Sequence, residues 1–349
     1  RIVNEGLKWE TKETTNIGFD AFMLNNRLGL SAEYYYSKTK DVLATINIPM
    51  TTGNDGGRPR ANAASLRNTG FELTASWRDQ VEDFKYSASL NLTTLSNKVI
   101  SLPLATPRVI NGEGYTEAGS ALGMFYLFKT DGLFRTQEDI DNYVTSKGTP
   151  IQIDGNRPQI GDVRYIDTDD NGHITDEDKQ VVGPWAKLQT SLLFNASWKN
   201  FDFSMMWYGQ FGNKIYNISE WQGRLFSDNS NYLNFKKGEE PYQVNPKSNT
   251  PRIIYGDARN NKAADRFLEN GSYFRMKTVS LGYTFDSQLL NTFGLDKLRF
   301  YVTGNNLLTI TAYRGIDPDF ANGNIWNPGT NGFEYPNTRS VLFGLDVTF

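Results

Sequence analysis

Cysteine is absent from this chain, and histidine occurs once, at His173. No disulfide, thiolate nucleophile or zinc–thiolate centre can form without cysteine. One imidazole excludes most histidine-based metal sites and catalytic triads. A chain without thiols fits an oxidising compartment. Long apolar runs are missing as well. The longest, ALGMFYLF at residues 121–128, is far short of the roughly 20 residues a spanning helix needs. The opening stretch, RIVNEGLKWETKE, lacks the basic-then-apolar pattern of a signal peptide. The chain is therefore expected to be soluble, already processed, or a piece of something longer. Neither sign of charge is in large excess: the net charge is −3, so no nucleic-acid partner is expected. Apolar residues make up 38%, which is low for a soluble core of this size, while aromatics reach 13%. With 349 residues the chain could hold two ordinary domains or one large all-β domain.

What is abundant is alternation with a period of two, the mark of strands with one buried face. In GFELTASWR, Phe71, Leu73, Ala75 and Trp77 share one side, and Glu72, Thr74, Ser76 and Arg78 the other. Nine such segments are predicted, at about 13–24, 27–46, 64–78, 83–101, 187–199, 201–218, 271–286, 295–311 and 337–349. Their connections alternate in length. Those at 25–26, 79–83, 199–200 and 287–294 are short; those at 47–63, 102–186, 219–270 and 312–336 are long. Short turns at one end and long loops at the other is the plan of a transmembrane antiparallel β-barrel. A parallel sheet would need a crossover in every connection. A soluble sandwich also alternates, but several segments exceed its usual strand length. It also has no reason to gather Trp77, Phe84, Trp198, Phe201, Phe285 and Phe349 on apolar faces at the short-turn end. Rings in that position suit a membrane–water interface. The opposite face carries Glu33, Glu72, Arg78, Lys85, Asn91, Asn195 and Asp202, and should meet water or a plug. Met206 and Leu342 interrupt it. Nine strands leave a barrel open, and an even count is the rule for single-chain bacterial barrels. The chain is thus expected to be the C-terminal part, residues 1–349, of a larger barrel.

Several stretches carry a resemblance: LKWETKETTNIGFDAFMLNNRLGLSAEYYYSKTKDVL, NTGFELTASW, GDVRYIDTDDNGHITDED, LENGSYFRMKTVSLGYTF, LRFYVTGNNLLTITAYRGIDPDF and YPNTRSVLFGLDVTF. Together, and in this order, they resemble the SusC/RagA-like branch of TonB-dependent outer-membrane transporters. The resemblance runs from about residue 7 to the end. It implies a 22-stranded barrel with an N-terminal plug, in the outer membrane of a Gram-negative bacterium, its long loops extracellular. It also implies energy delivered through TonB, a SusD-like surface lipoprotein as cap, and import of glycans or peptides too large to diffuse. The plug and any TonB-contacting segment are not in this sequence.

One motif points to a metal. In DTDDNGHITDED, residues 167–178, the positions of a helix–loop–helix calcium loop are filled in order. Asp167, Asp169 and Asn171 stand at 1, 3 and 5, Gly172 at the turn, the His173 carbonyl at 7, Thr175 at 9 and Asp178 at 12. Hard oxygen donors at this spacing suit Ca²⁺. Aspartate in place of the usual closing glutamate shortens the last arm and lets a smaller ion such as Mg²⁺ compete. The flanks, GDVRY and KQVVGPW, do not read as helices, so the expectation is a structural clip inside the 102–186 segment. Plain acidic-turn chemistry without an ion is the alternative. In the long loops, Trp221, Tyr232, Phe235, Tyr242 and Trp326 could stack on substrate or bury against a cap, or could equally pack the loops' own small cores. No catalytic set emerges, since no triad can be built around His173, and no enzyme is expected. Asn-x-Ser/Thr at Asn91, Asn195 and Asn217 falls in predicted strands and is discounted for glycosylation. The competing reading for the whole chain is a soluble β-rich binding protein with a calcium loop.

Overall fold

The computed structural model describes residues 6–45, 60–103, 107–224, 235, 237–256, 259–286, 290, 294–320 and 323–349. One large antiparallel sheet dominates it. Its strands are β1 Thr11–Met23, β2 Leu28–Thr45, β3 Arg60–Val81, β4 Phe84–Thr93 and β5 Ser96–Ser101. The sheet continues with β6 Leu188–Trp198, β7 Phe201–Phe211, β8 Tyr273–Thr284, β9 Lys297–Thr311 and β10 Ser340–Thr348. Each strand pairs with its sequence neighbour, giving the order β1-β2-β3-β4-β6-β7-β8-β9-β10, with β5 added to β3. Among the described residues β1 pairs only with β2, and β10 only with β9. β1 is accordingly exposed along nearly its whole length, on both faces. The sheet does not close on itself.

All nine expected wall strands are present. Most boundaries shift by one to four residues, and three changes alter the wall or its turns. The 83–101 segment is two strands, not one. Thr94 interrupts the strand without changing its register against β3: its amide donates to the Phe71 carbonyl at 2.9 Å, and its hydroxyl accepts from the Phe71 amide at 3.0 Å. Beyond that point β5 follows β3 alone, because β6 pairs with β4 and β7 but not with β5. The 201–218 segment ends at Phe211. Gly212, at φ +83°, turns the chain, and Lys214–Asn217 joins a separate three-stranded sheet with Leu268–Asn270 and Thr330–Asn331. β3 runs on to Val81, so the 79–83 connection shrinks to a tight turn with Glu82 at positive φ. Positive φ also marks Asn25 and Asn26 in the first turn and Lys199 in the third. Asparagine tolerates that conformation better than most residues.

Register converts the alternation into two faces. Leu30, Ala75, Leu90, Leu192, Trp207, Met276 and Leu308 stand opposite one another in one row of the apolar face. One residue along, the polar-face row reads Gly29, Ser76, Ser89, Leu193, Met206, Thr278, Asn305 and Ser340. Met206, which interrupts the pattern in sequence, sits directly opposite a second interruption, Leu193. The polar face is held by side-chain bonds between strands. Thr74 donates to Asn91 at 2.7 Å, and Asn91 to Ser191 at 3.0 Å. Near the short-turn end Arg299 bridges Asp202 and Asp346, at 2.7 and 3.2 Å. Gly282 leaves room for that pair: a Cβ would lie 2.4 Å from an Asp202 oxygen and 2.6 Å from the Arg299 guanidinium, and the pair would have to shift. At the same end of the apolar face Trp198, Phe201, Tyr283 and Phe285 form a chain of ring contacts at 4.8–6.4 Å.

A face built to meet lipid should reject charge. Leu90→Arg is expected to cost about 2–4 kcal/mol of barrel stability, as arginine does near a bilayer midplane. Ser89→Arg, one residue away on the polar face, should cost less than about 1 kcal/mol. Urea unfolding of the assembled barrel in lipid vesicles measures both; equal losses would mean that the faces are assigned wrongly.

Candidate functional site

The long connections at 102–186, 219–270 and 312–336 leave the sheet at one end, and their described residues are folded. Residues 108–111, 114–117, 124–128 and 179–182 make a four-stranded sheet. Two apolar clusters lie beneath and beside it. The first gathers Phe128, Phe134, Ile140, Tyr143, Val163, Tyr165 and Ile174 from the 102–186 segment, with Ala264 from the 219–270 segment. The second gathers Phe125 and Leu127 with Tyr216 and Phe267. Successive residues of one strand thus feed two cores shared by different loops.

Charged groups lock these loops together. Asp162, 3% exposed, accepts from Arg252 Nη2 at 3.2 Å, from Asn260 Nδ2 at 2.8 Å and from the Gln159 amide at 2.8 Å. Arg157 donates to the carbonyls of Ile140, Tyr143 and Ile151. Arg135 reaches across to Pro246 and Ser248. The last loop is fastened to the wall by Arg275 of β8, itself 3% exposed. Its guanidinium bonds Asp317, and Asp319 at 3.2 Å, while Tyr273 donates to Asp319 at 2.8 Å. Burial pushes the Asp317 carboxyl up, yet Arg275 and the amides of Asp319 and Asn337 together hold it below the usual carboxylate range. None of these locks was identified from sequence. The acid pair around Pro318, in a stretch that carries the resemblance, was the available signal.

The acidic loop lies against the first core. One carboxylate oxygen from each of Asp167, Asp169 and Asp178 falls within 4.8 Å of the others. Asp178 is fully buried. Its Oδ1 accepts from the Thr168 amide at 2.6 Å and its Oδ2 from the Thr175 amide at 2.8 Å. Asp167 accepts from the amides of Gly172 at 2.8 Å and Asn171 at 3.3 Å. Asp169 accepts from Asn171, which in turn accepts from the His173 amide at 2.7 Å. The loop is thus wrapped by its own amides around three acids. Gly172, at φ +85°, makes the sharp turn. Burial raises the Asp167 pKa, and the neighbouring Asp169 and Asp178 carboxyls add to the rise. The flanks are not helices of the calcium-sensor kind. A single 3₁₀ turn at Asp176–Asp178, capped by Thr175, leads into the strand at 179–182. His173 is exposed and pairs in a short parallel bridge with Gln152. The Thr175 hydroxyl is engaged as the cap, accepting from Glu177.

The loop aromatics divide. Trp221 packs against the second core, its indole donating to the Asn261 carbonyl at 2.7 Å. Tyr242 packs against the first. Phe235 stacks under Arg224, 4.6 Å from the guanidinium carbon. Trp326 is half-buried beside the hairpin at Gly114. Trp221 and Tyr242 thus pack the loops' own cores. Tyr232 lies outside the described residues.

Removing Arg252 leaves Asp162 buried without its counter-charge, a change that costs about 3–5 kcal/mol in comparable buried pairs. Arg252→Met should therefore speed protease cleavage within 102–186 and 219–270 while the wall still assembles. Unchanged cleavage would show that the two loops are held by other contacts.

The sequence family described as TonB dependent receptor-like, beta-barrel, matches residues 1–307. TonB-dependent receptor P26 of Formosa agariphila is 30% identical over all of this chain and 36% of its own length. TonB-dependent receptor SusC of Bacteroides thetaiotaomicron is 28% identical over all of this chain and 33% of its own length. A solved structure of the RagAB peptide transporter superposes with a TM-score of 0.78, at 21% identity, over 99% of this chain and 36% of that one. The chain therefore spans about a third of the relatives it matches. With an open sheet of this topology and a family match over most of its length, the chain belongs to the TonB-dependent receptor-like β-barrel family.

Proposed function

We propose that this chain is the C-terminal part of the wall, with its overlying loops, of an outer-membrane transporter that imports oligomeric nutrients, glycans or peptides. The family is one of transporters and receptors in the outer membrane. The observation that carries the reading is the wall itself: among the described residues it has one apolar face, one polar face, two unpaired edges, and folded loops at the end opposite its tight turns. The missing wall strands and the plug come from the rest of the protein. Energy arrives through TonB, and a SusD-like lipoprotein closes the loop end, which faces outward. Folded loops with their own cores present a fixed surface to such a cap. The soluble alternative draws no support from an open sheet whose outer row is Leu30, Leu90, Leu192, Trp207 and Leu308.

The acidic loop is read as a structural Ca²⁺ clip within the 102–186 segment. Asp167, Asp169, Asn171, the His173 carbonyl, Thr175 and Asp178 would supply its oxygens, and Mg²⁺ is the competitor. The donor chemistry supports it: three acids crowd one small loop, and burial with mutual repulsion already raises one of them. A bound cation would offset that repulsion.

Two experiments test these readings. Cells carrying the full-length protein should take up a fluorescent oligosaccharide or peptide nutrient only while TonB is present, and the protein should leave the envelope only with detergent. Uptake without TonB, or release by salt alone, would reject the transporter. For the clip, Asp169→Ala should abolish calcium binding by the purified protein and speed proteolysis between 154 and 184, with barrel assembly unchanged. A wild-type protein that binds no Ca²⁺ at millimolar concentration would leave the loop a plain acidic turn.

A further inference from the structure

A cavity of about 350 Å³ opens among the loops where the helix Ile218–Gly223, the 238–250 stretch, Arg266–Phe267 and Arg314 meet. Its size is that of a small-ligand site. Its lining is mostly polar, with Ser248, Asn249 and Thr250 on one side. Four cationic side chains, Arg224, Lys247, Arg266 and Arg314, line it against two carboxylates, Glu220 and Glu239. The charges are unequally satisfied. Arg224 is held by Glu220 at 2.9 Å, and Arg314 by Glu269 at 3.3 Å. Glu239 lies between the two guanidinium groups at 3.8 Å from each. That is about 1 Å beyond a charge-assisted hydrogen bond. Lys247 is exposed and makes no ion pair among the described residues.

A carboxylate poised between two guanidinium groups, bonded to neither, marks a place where a better-seated anion would take over. Arginine forks bind carboxylate and sulfate in paired hydrogen bonds, and Lys247 adds a point charge at the mouth. The polar walls suit hydroxyls better than apolar peptide side chains. We propose that this cavity is a recognition subsite for an acidic sugar unit, carrying a carboxylate or a sulfate, of an imported oligosaccharide. The proposal rests on the import reading above and narrows its substrate class. Glu239 is the gate: it occupies the anion's place in the free state and swings aside when the sugar binds.

The test is calorimetric titration of the detergent-solubilised, full-length transporter with tetragalacturonic acid, its methyl ester, a sulfated galactose tetramer and pentaglutamate. At least one of the two acidic tetrasaccharides should bind tenfold or more tighter than the neutral ester. Lys247→Gln and Arg314→Gln should erase that preference without changing binding of the ester. Glu239→Gln should strengthen acidic-sugar binding severalfold, because the competing anion is gone; a merely structural role for Glu239 would weaken it. The idea is overturned if neither acidic sugar binds, if the ester binds as well, or if Glu239→Gln lowers affinity. It is also overturned if pentaglutamate matches the sugars, which would make the site a peptide subsite. TonB-dependent uptake of another nutrient would survive each of these failures, so loss of the subsite and loss of the import reading are told apart.

Discussion

Within a bilayer every backbone amide and carbonyl must be paired by protein, because no water is there to accept or donate. For a sheet this means a partner strand on both sides of every strand, and that requirement organises the molecule. It explains why the nine wall strands pair strictly with sequence neighbours, and why the first three connections at the short-turn end are tight. It also explains why β1 and β10 cannot be the natural borders of a membrane wall. Both have an unpaired side among the described residues. Their partners must come from chain outside these residues, which agrees with coverage of only about a third of the relatives.

The same constraint divides the side chains. Rows on the apolar face need only be hydrophobic, and they carry Leu, Ala, Trp and Met interchangeably. The polar face has more exacting geometry, since its groups must satisfy each other or water. There, small residues stand beneath long ones: Gly282 lies below the Asp202–Arg299 pair, and Gly344 below the Tyr301 ring. Leu193 and Met206, an opposed apolar pair, and Leu342 opposite Thr303 are exceptions within that face.

Sequence alternation made the wall legible because the period of two is fixed by the pleat. Every strand of the path was found, with errors only where something other than the period decided the end. At Thr94 a side-chain hydroxyl takes a place in the ladder, and Gly212 sends residues 214–217 into another sheet. The loops were much less legible. Their order comes from contacts between residues about 90 to 110 positions apart, such as Asp162 with Arg252 or Arg135 with Ser248, and no local pattern announces such a pairing. The acidic loop was readable because its donors lie within twelve residues. The loop aromatics were not, since a tryptophan on a core and one on a surface look alike in one dimension. Trp221 and Tyr242 proved to be packed against cores.

The cross-linked loops have a consequence for how such a transporter can work. Their two apolar clusters are each built from more than one connection, and Arg275 ties the last loop to the wall through Asp317 and Asp319. Such a unit resists piecemeal opening, because moving one loop exposes apolar surface and buried charge in its neighbours. Under the import reading proposed above, opening for substrate is most easily achieved by moving something that is not part of this unit, while the loops stay fixed on the sheet. Their buried ion pairs, with Asp162 and Arg275 each 3% exposed, contribute rigidity and alignment more than net stability, since desolvating such charges offsets much of their attraction.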